Sequence, residues 1–514
     1  MMRVGLPIFH ARTRSAALAA FFALAFVSGC AVGPDFHRPS TDAGGQYTAK
    51  PLPESTVATD LANKGAPGES AGGSQHFSNG QDIPAQWWEA FHSPSLNALI
   101  QEAFTANPNV QSAQAALRQA SNLTAAQRGF FLPTVQASFA PTRQKNPTGT
   151  LAPTLSSGQP IYNLFTTQLS VGYTLDLFGG NRRQVESLAA QEAGQRYALE
   201  ATYVTLSTNV VLAAVQEASL RAQIAATERM VAIESEQLQI MQREVELGAI
   251  AVSDATAQEA ALAQTTALLA PLRKQLAIQR DALCALLGKL PSQEPAATFE
   301  FTGLELPLDI PVSLPSQIVE QRPDVRMAEE QMHAASADVG VAIADMLPQI
   351  SIDASIGGTS TSIAHMFAAG NKFWTEGATL SQTLFAGGTL YHREQAARDA
   401  LDEAGAQYRS AVIAAFQNVA DSLHAVVFDA EALKANRDAE QSAQRSLEYA
   451  RKAQELGSAS YLQLLNAEQA YQQAVVNRVQ AQANRYADTA ALFQALGGGW
   501  WNRRKDAVRT PQGN

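Results

Sequence analysis

The sequence predicts an α+β membrane protein made of two related halves, each joining long helices to a pair of membrane-type strands. Three observations carry that prediction. The first is an internal repeat. Asn107-Pro108-Asn109-Val110 corresponds to Arg322-Pro323-Asp324-Val325, and Leu132-Pro133 to Leu347-Pro348, both at an offset of 215. Gly179-Gly180 corresponds to Gly387-Gly388 at 208. Glu246-Leu247-Gly248 corresponds to Glu455-Leu456-Gly457 at 209, and Leu287-Gly288 to Leu496-Gly497 at the same offset. Landmarks in one order at one spacing mark a duplicated unit. The second is residues 182–247, which contain no proline and only Gly194 as an internal glycine. As one helix they reach roughly 100 Å. The third is alternation of apolar and polar residues in short segments of both halves, the pattern of a barrel with a lipid face and a wet lumen.

The elements follow in order. Arg3, Arg12 and Arg14 form a positive leader, and Ala16 to Val27 an apolar run of twelve residues, too short to span a bilayer. Val27-Ser28-Gly29-Cys30 then resembles a bacterial lipoprotein signal, in which the Cys becomes the lipidated first residue of the mature chain. Residues 1–29 are therefore read as the signal peptide. Ala31 rather than Asp after the Cys implies, by the same resemblance, the outer membrane. Residues 30–85, rich in Gly and Pro, read as a loose lipidated tether.

The first repeat unit spans 86–288. Ser93-Pro94 is an N-cap with Pro at the first helical position, and that helix is expected to run to about Phe130. Val135, Ala137 and Phe139 alternate with polar residues, as do Leu169, Val171, Tyr173, Leu175 and Leu177. The long helix follows. Gly248 is its expected C-cap, and Ser253 the cap of a helix reaching Leu287. Pro271 sits inside that helix, where its repeat counterpart is Gln480, and predicts a break. A Pro-rich connector, 289–315, leads to the second unit, 316–497. There Ile350, Ile352, Ala354 and Ile356 alternate cleanly, while 373–385 does so less regularly. A tail, 498–514, closes the chain. Four strands per chain cannot close a barrel, since about eight are the practical minimum. Two chains give 8, three give 12 and four give 16. No apolar run of spanning length is expected after Cys30, so any crossing falls to the strands.

Composition narrows the function. The formal net charge is −10, nearer −13 once residues 1–29 are removed, which argues against nucleic-acid binding and is compatible with a cation-favouring pore. Charged residues make up 16%, below the roughly 25% usual for soluble domains, yet the mean hydropathy of −0.11 is not that of a helical membrane protein. HExxH, GxSxG and GxGxxG are absent, and the seven mature histidines show no metal spacing, so neither a catalytic nor a metal site is expected. With Cys30 lipidated, Cys284 stands alone in an apolar helical stretch as a buried inert thiol. Gly179-Gly180 with Arg182-Arg183 lacks phosphate-loop spacing and reads as a strand-to-helix break.

Cys30-Ala31-Val32-Gly33-Pro34-Asp35-Phe36, Trp87-Trp88 with Phe91 and Pro94, Gln321-Arg322-Pro323-Asp324-Val325 and Ala495-Leu496-Gly497-Gly498-Gly499-Trp500 resemble the TolC-like outer-membrane efflux factors. They look most like the lipoprotein branch that serves resistance-nodulation-division pumps. The resemblance covers essentially all of the mature chain. It implies a homotrimer whose 12-strand β-barrel, four strands from each chain, continues as a long α-helical barrel. It implies passive conduction, with a periplasmic adaptor and an inner-membrane pump as partners and diacylglycerol plus an N-acyl chain on Cys30. It places the closing end of the tunnel at the helix turns: Leu247, Gly248, Ser253 and Asp254 in one unit, Leu456, Gly457 and Leu462 in the other.

The chain departs from the family there. Aligned on Gly457 and the GGGW block, the family's constricting Asp falls on Asn466 and a nearby Arg on Gln469. A carboxylate–guanidinium latch cannot form from those two. Either amide hydrogen bonds with Leu462 packing hold the gate, or Asp254 supplies the charge. The alternative reading of the whole chain is a periplasmic coiled-coil lipoprotein, structural or adaptor-like and without a pore. It accounts for the lipid signal and long helices but not for the strand pairs.

Overall fold

The computed structural model describes residues 31–39, 46–59, 69–147 and 160–503. In chain order the elements are β1 (His76–Asn79), α1 (Pro94–Ala106), α2 (Pro108–Arg128), β2 (Thr134–Lys145), β3 (Ile161–Leu175), α3 (Gly180–Glu246), α4 (Val252–Ala267), α5 (Leu269–Leu286), β4 (Asp309–Val312), α6 (Pro315–Gln321), α7 (Pro323–Ala344), β5 (Gln349–Ser360), β6 (Lys372–Ser381), α8 (Thr389–Glu455) and α9 (Tyr461–Ala495). The two long helices, α3 and α8, are each 67 residues. The chain separates into two compact units that interleave along the sequence. Among the described residues, unit 1 takes 31–38, 118–147, 160–194 and 329–407, and unit 2 takes 39, 46–59, 69–117, 195–328 and 408–503.

Unit 1 is built on a four-stranded antiparallel sheet in the order β2-β3-β5-β6. Its register sorts the side chains by face. Ala137, Leu169, Ile356 and Trp374 form one cross-strand row. Val135, Val171 and Ala354 form the next row on that face, where Glu376 is the exception, and Tyr173, Ile352 and Ala378 the one after. The intervening rows are polar: Gln136, Ser170, Ser355 and Thr375, then Thr174, Ser351 and Thr379. Since side chains alternate faces, this sheet has one apolar and one polar side. Strand β6 ends at Ser381, short of the expected 385, and leaves Leu384 and Phe385 exposed beyond it. Strands β2 and β6 keep a free edge each among the described residues.

The residues after Cys30 are not a loose tether where they are described. In unit 1, Val32 N–H donates to the Phe178 carbonyl at 3.0 Å. Arg183 donates to the Val32 carbonyl at 3.0 Å and to Asp35 at 2.7 Å, with its side chain 5% exposed. Phe36 stacks on His333 at 4.4 Å. In unit 2, β1 pairs in parallel with β4, and fully buried Arg485 donates to the Gly73 carbonyl, Gln75 and Thr56 at 2.7 to 3.2 Å and to the Ala71 carbonyl. Gly- and Pro-rich composition set the expectation of a tether. Two buried arginines override it by supplying carbonyl-directed hydrogen bonds that an irregular backbone otherwise lacks.

Unit 2 is cored by aromatics. Trp87, Trp88 and Phe91 are buried, and Trp87 stacks on Phe493 at 5.3 Å. Cys284 is buried, and burial pushes its thiol pKa up. The connector after Gly288 is pinned rather than slack: Arg280 donates to the carbonyls of Pro295 and Ala297 and pairs with Glu217.

The helices break where proline demands it. The expected helix from Ser93 is two helices, α1 and α2, divided at Asn107, which precedes Pro108 and takes an extended backbone. Ser93 sits at the N-cap but makes no side-chain cap bond. The break predicted at Pro271 lies between α4 and α5: Leu268 N–H turns to Thr265, and Pro271 has no N–H to offer Ala267. Helix α4 begins at Val252 with Ala251 as N-cap, so Ser253 is inside the first turn and is not the cap. An 18-residue window in α3 and another in α8 reach mean hydropathies of 1.3 and 1.4, which corrects the expectation that no stretch after Cys30 is apolar enough to span. The α3 window is 56% buried within the chain and the α8 window only 22%, and each helix is roughly three times the length a bilayer core needs.

Candidate functional site

The site lies at the ends of the long helices in unit 2. Helix α3 stops at Glu246 because Gly248 takes φ +75°, a left-handed conformation that costs an L side chain about 1–2 kcal/mol. Gly248 N–H then donates to Val245 at 2.9 Å and Ala249 N–H to Glu244 at 2.8 Å. The same paired closure ends α8: Gly457, φ +72°, donates to Gln454 at 2.8 Å, and Ser458 to Ala453 at 2.8 Å. Both are Schellman motifs, which satisfy the last carbonyls and reverse the chain within a few residues. Each turn carries an exposed leucine, Leu247 at 77% and Leu456 at 82%.

Past the second turn, the face of α9 decides what each residue does. Leu462, Asn466 and Gln469 lie three and four residues apart and are all exposed, so they share one outward stripe. Asn466 and Gln469 make no side-chain hydrogen bond among the described residues. Leu462 is 64% exposed and packs no core in the single chain; the leucine that does is Leu464, buried against Leu447 and Ala450. Asp254 is half-buried in the first turn of α4, with its N–H on the Ala251 carbonyl.

The opposite face of α9 carries a polar network that sequence reasoning missed. Glu468 is fully buried and receives Arg451 at 3.5 Å. Glu234, on α3, is 1% exposed and accepts from Thr265 at 3.1 Å. Gln258, fully buried on α4, donates to the Glu234 carbonyl at 3.1 Å and accepts from Tyr461 of α9. The Tyr461–Gln258 bond ties the α3–α4 hairpin to the α8–α9 hairpin. Burial pushes both carboxyl pKa values up; Thr265 opposes this at Glu234, and Arg451 opposes it at Glu468, where the Glu234 charge adds to it. Burial likewise raises the Tyr461 phenol. The signal in the sequence was Glu468 on the apolar stripe of Leu464, Val475 and Val479.

Cys30 lies outside the described residues. Its neighbour Ala31 sits against Gly179 at the strand-to-helix break, where a side chain on Gly179 would meet the Ala31 Cα at 2.6 Å.

Comparison with known proteins fits this architecture. The family described as "Outer membrane efflux protein" matches residues 99–289 and 314–498. The toluene efflux pump outer membrane protein TtgC of Pseudomonas putida is 27% identical over 493 residues, covering 95% of this chain and 97% of its own. The pyoverdine export outer membrane protein OpmQ of Pseudomonas aeruginosa is 29% identical over 445 residues, covering 84% and 91%. Among solved structures, the outer-membrane channel OprN superposes with a TM-score of 0.78 at 25% identity, covering 92% of this chain and 100% of its own.

Proposed function

Because this chain belongs to the outer membrane efflux protein family, we propose that three copies of it assemble into one conduit, each giving four strands to a 12-strand barrel and two helical hairpins to a periplasmic tube. The protein is an outer-membrane efflux channel that extends into the periplasm and serves a tripartite pump system. Conduction is passive in this reading. An inner-membrane pump drives cargo through a periplasmic adaptor into the tube, and Cys30 bears a diacylglycerol and an N-acyl chain that seat in the outer-membrane lipid.

The observation that supports closure by several copies is the sheet of unit 1, and the count of three follows the family resemblance. Its rows divide into an apolar and a polar face, and β2 and β6 present free edges 12 and 10 residues long. Unpaired edges of that length in lipid leave backbone groups unsatisfied, and closure against further copies removes them. A pore-less coiled-coil lipoprotein has no use for such a sheet.

The tube closes, in this reading, at the turns after Glu246 and Glu455, with Leu462, Asn466 and Gln469 facing the bore. An amide ring at Asn466 favours cations less than a carboxylate ring. Purified protein in a planar bilayer is expected to give discrete conductance steps, and Asn466→Asp to raise its cation preference. Steps with unchanged selectivity in the variant place Asn466 away from the bore; no steps at all refute the channel.

A further inference from the structure

Unit 2 contains a cleft of about 640 Å³ between α3, α8 and α9 that the conduit reading does not use. Four arginines line it: Arg221 and Arg229 on α3, Arg437 on α8 and Arg478 on α9. Two carboxylates, Glu300 and Glu440, are the acidic groups among its lining residues. In a chain of formal charge −10, this is a local reversal of sign.

The arginines are held in place, and each guanidinium carries five N–H donors. Arg221 Nε donates to buried Glu217 at 2.8 Å, and Glu217 is shared with Arg280, which also pairs with Glu294. Arg478 Nε donates to Glu440 at 2.8 Å and its NH1 to Gln482 at 3.0 Å. Arg229 uses Nε on its own helix, donating to the Ala225 carbonyl at 3.2 Å. Arg437 lies beside Gly72. Arg221 and Arg478 are 29% and 28% exposed, half-sunk beside a floor of Ala218, Ala222 and Ala225. Partial burial strengthens their field, and a floor of methyl groups lets a backbone approach closely.

The use of arginine, without a lysine, matters. Guanidinium forks bind carboxylates in bidentate pairs, whereas an ammonium is a hydrated point charge. Arg221 and Arg229 stand eight residues apart on α3, so the cleft offers charge over ~12 Å, the span of about four extended residues. Gln444 and Gln482, which also line it, can donate to and accept from a peptide backbone. A lone phosphate needs far less room.

We infer that this cleft docks an acidic peptide segment of a periplasmic partner protein. The inference rests on reading the chain as one member of a multiprotein efflux assembly. It assigns to the outer channel a second contact besides the turns at the helix ends.

The test uses the full-length protein purified in detergent and fluorescein-labelled hexaglutamate, read by anisotropy. Hexaglutamate is expected to bind and hexalysine not to. Binding is expected to weaken about tenfold or more as ionic strength rises from ~0.02 M to ~0.2 M, because screening shortens the reach of the arginines. Arg229→Gln, which disturbs only an exposed side chain, is expected to weaken binding several-fold, and R229Q/R478Q to abolish it. Arg243→Gln, near the end of α3 and outside the cleft, should bind as the parent does. Unchanged binding in R229Q and R229Q/R478Q overturns the proposal, as does equal loss in R243Q. Displacement by equimolar pyrophosphate also overturns it, marking a small-oxyanion site instead. A protein that conducts in bilayers but fails to bind hexaglutamate loses only this inference. One that binds but never conducts loses the channel.

Discussion

At the residue scale, the acidic side chains divide by environment rather than by number. Asp429 on α8 and Asp488 on α9 share a half-buried site beside Arg485. Burial and the neighbouring Asp488 raise the Asp429 carboxyl from its usual range to about 7, against the pull of Arg485, whose own pKa burial lowers to about 10. The folded protein therefore holds a proton there more tightly than the unfolded chain does. That contribution to stability is complete below pH ~4 and is lost as pH rises through about 7. Asp429→Asn fixes the uncharged form. Its thermal midpoint is expected to fall less between pH 5.5 and 8.5 than the parent's; equal falls would show that Asp429 does not titrate in this range. None of this was legible beforehand, because a carboxylate reads the same on a wet face or a buried one until the facing helix is known. Asn466 and Gln469 were legible as a departure from the family pattern. The buried network of Glu234, Gln258 and Tyr461 on the opposite face was not, since its members meet only through packing of two hairpins.

At the element scale, proline and glycine were the readable punctuation. Pro108, Pro271 and Pro323 each end a hydrogen-bonded run near the place they occupy in the sequence, and the glycines after Glu246 and Glu455 close both long helices. Strand alternation located the four segments of the sheet, whose pairing order β2-β3-β5-β6 follows from two hairpins laid side by side. Caps were read less well: Ser253 looked like a start signal, yet α4 begins before it without any side-chain cap. The N-terminal stretch was misread because its order comes from distant arginines, Arg183 and Arg485. Glycine substitutions separate backbone strain from crowding. Gly248 has open space around it, so Gly248→Ala meets only the left-handed φ and is expected to cost about 1 kcal/mol. A Cβ on Gly288 would lie 2.5 Å from the Ala106 carbonyl, so Gly288→Ala adds a clash and is expected to cost about 3 kcal/mol. Thermal midpoints of the two variants check the order; a larger loss in G248A would contradict it.

At the scale of the whole molecule, the proposed lipid and the proposed barrel are separate attachments. A closed barrel crosses the bilayer outright, whether or not acyl chains are attached. Cys30→Ser behind a cleavable secretory signal is therefore expected to retain assembled channels in the outer membrane, detected by crosslinking in cells. Recovery of monomer alone would show that acylation is needed for assembly. The trimer itself is the claim on which the barrel, the closing ring at Asn466 and the pairing of β2 with β6 of the next copy all depend. Light scattering of the detergent-purified mature protein, corrected for bound detergent, tests it most directly. Three chains per particle is the predicted result, and a particle of one or two chains would contradict the account.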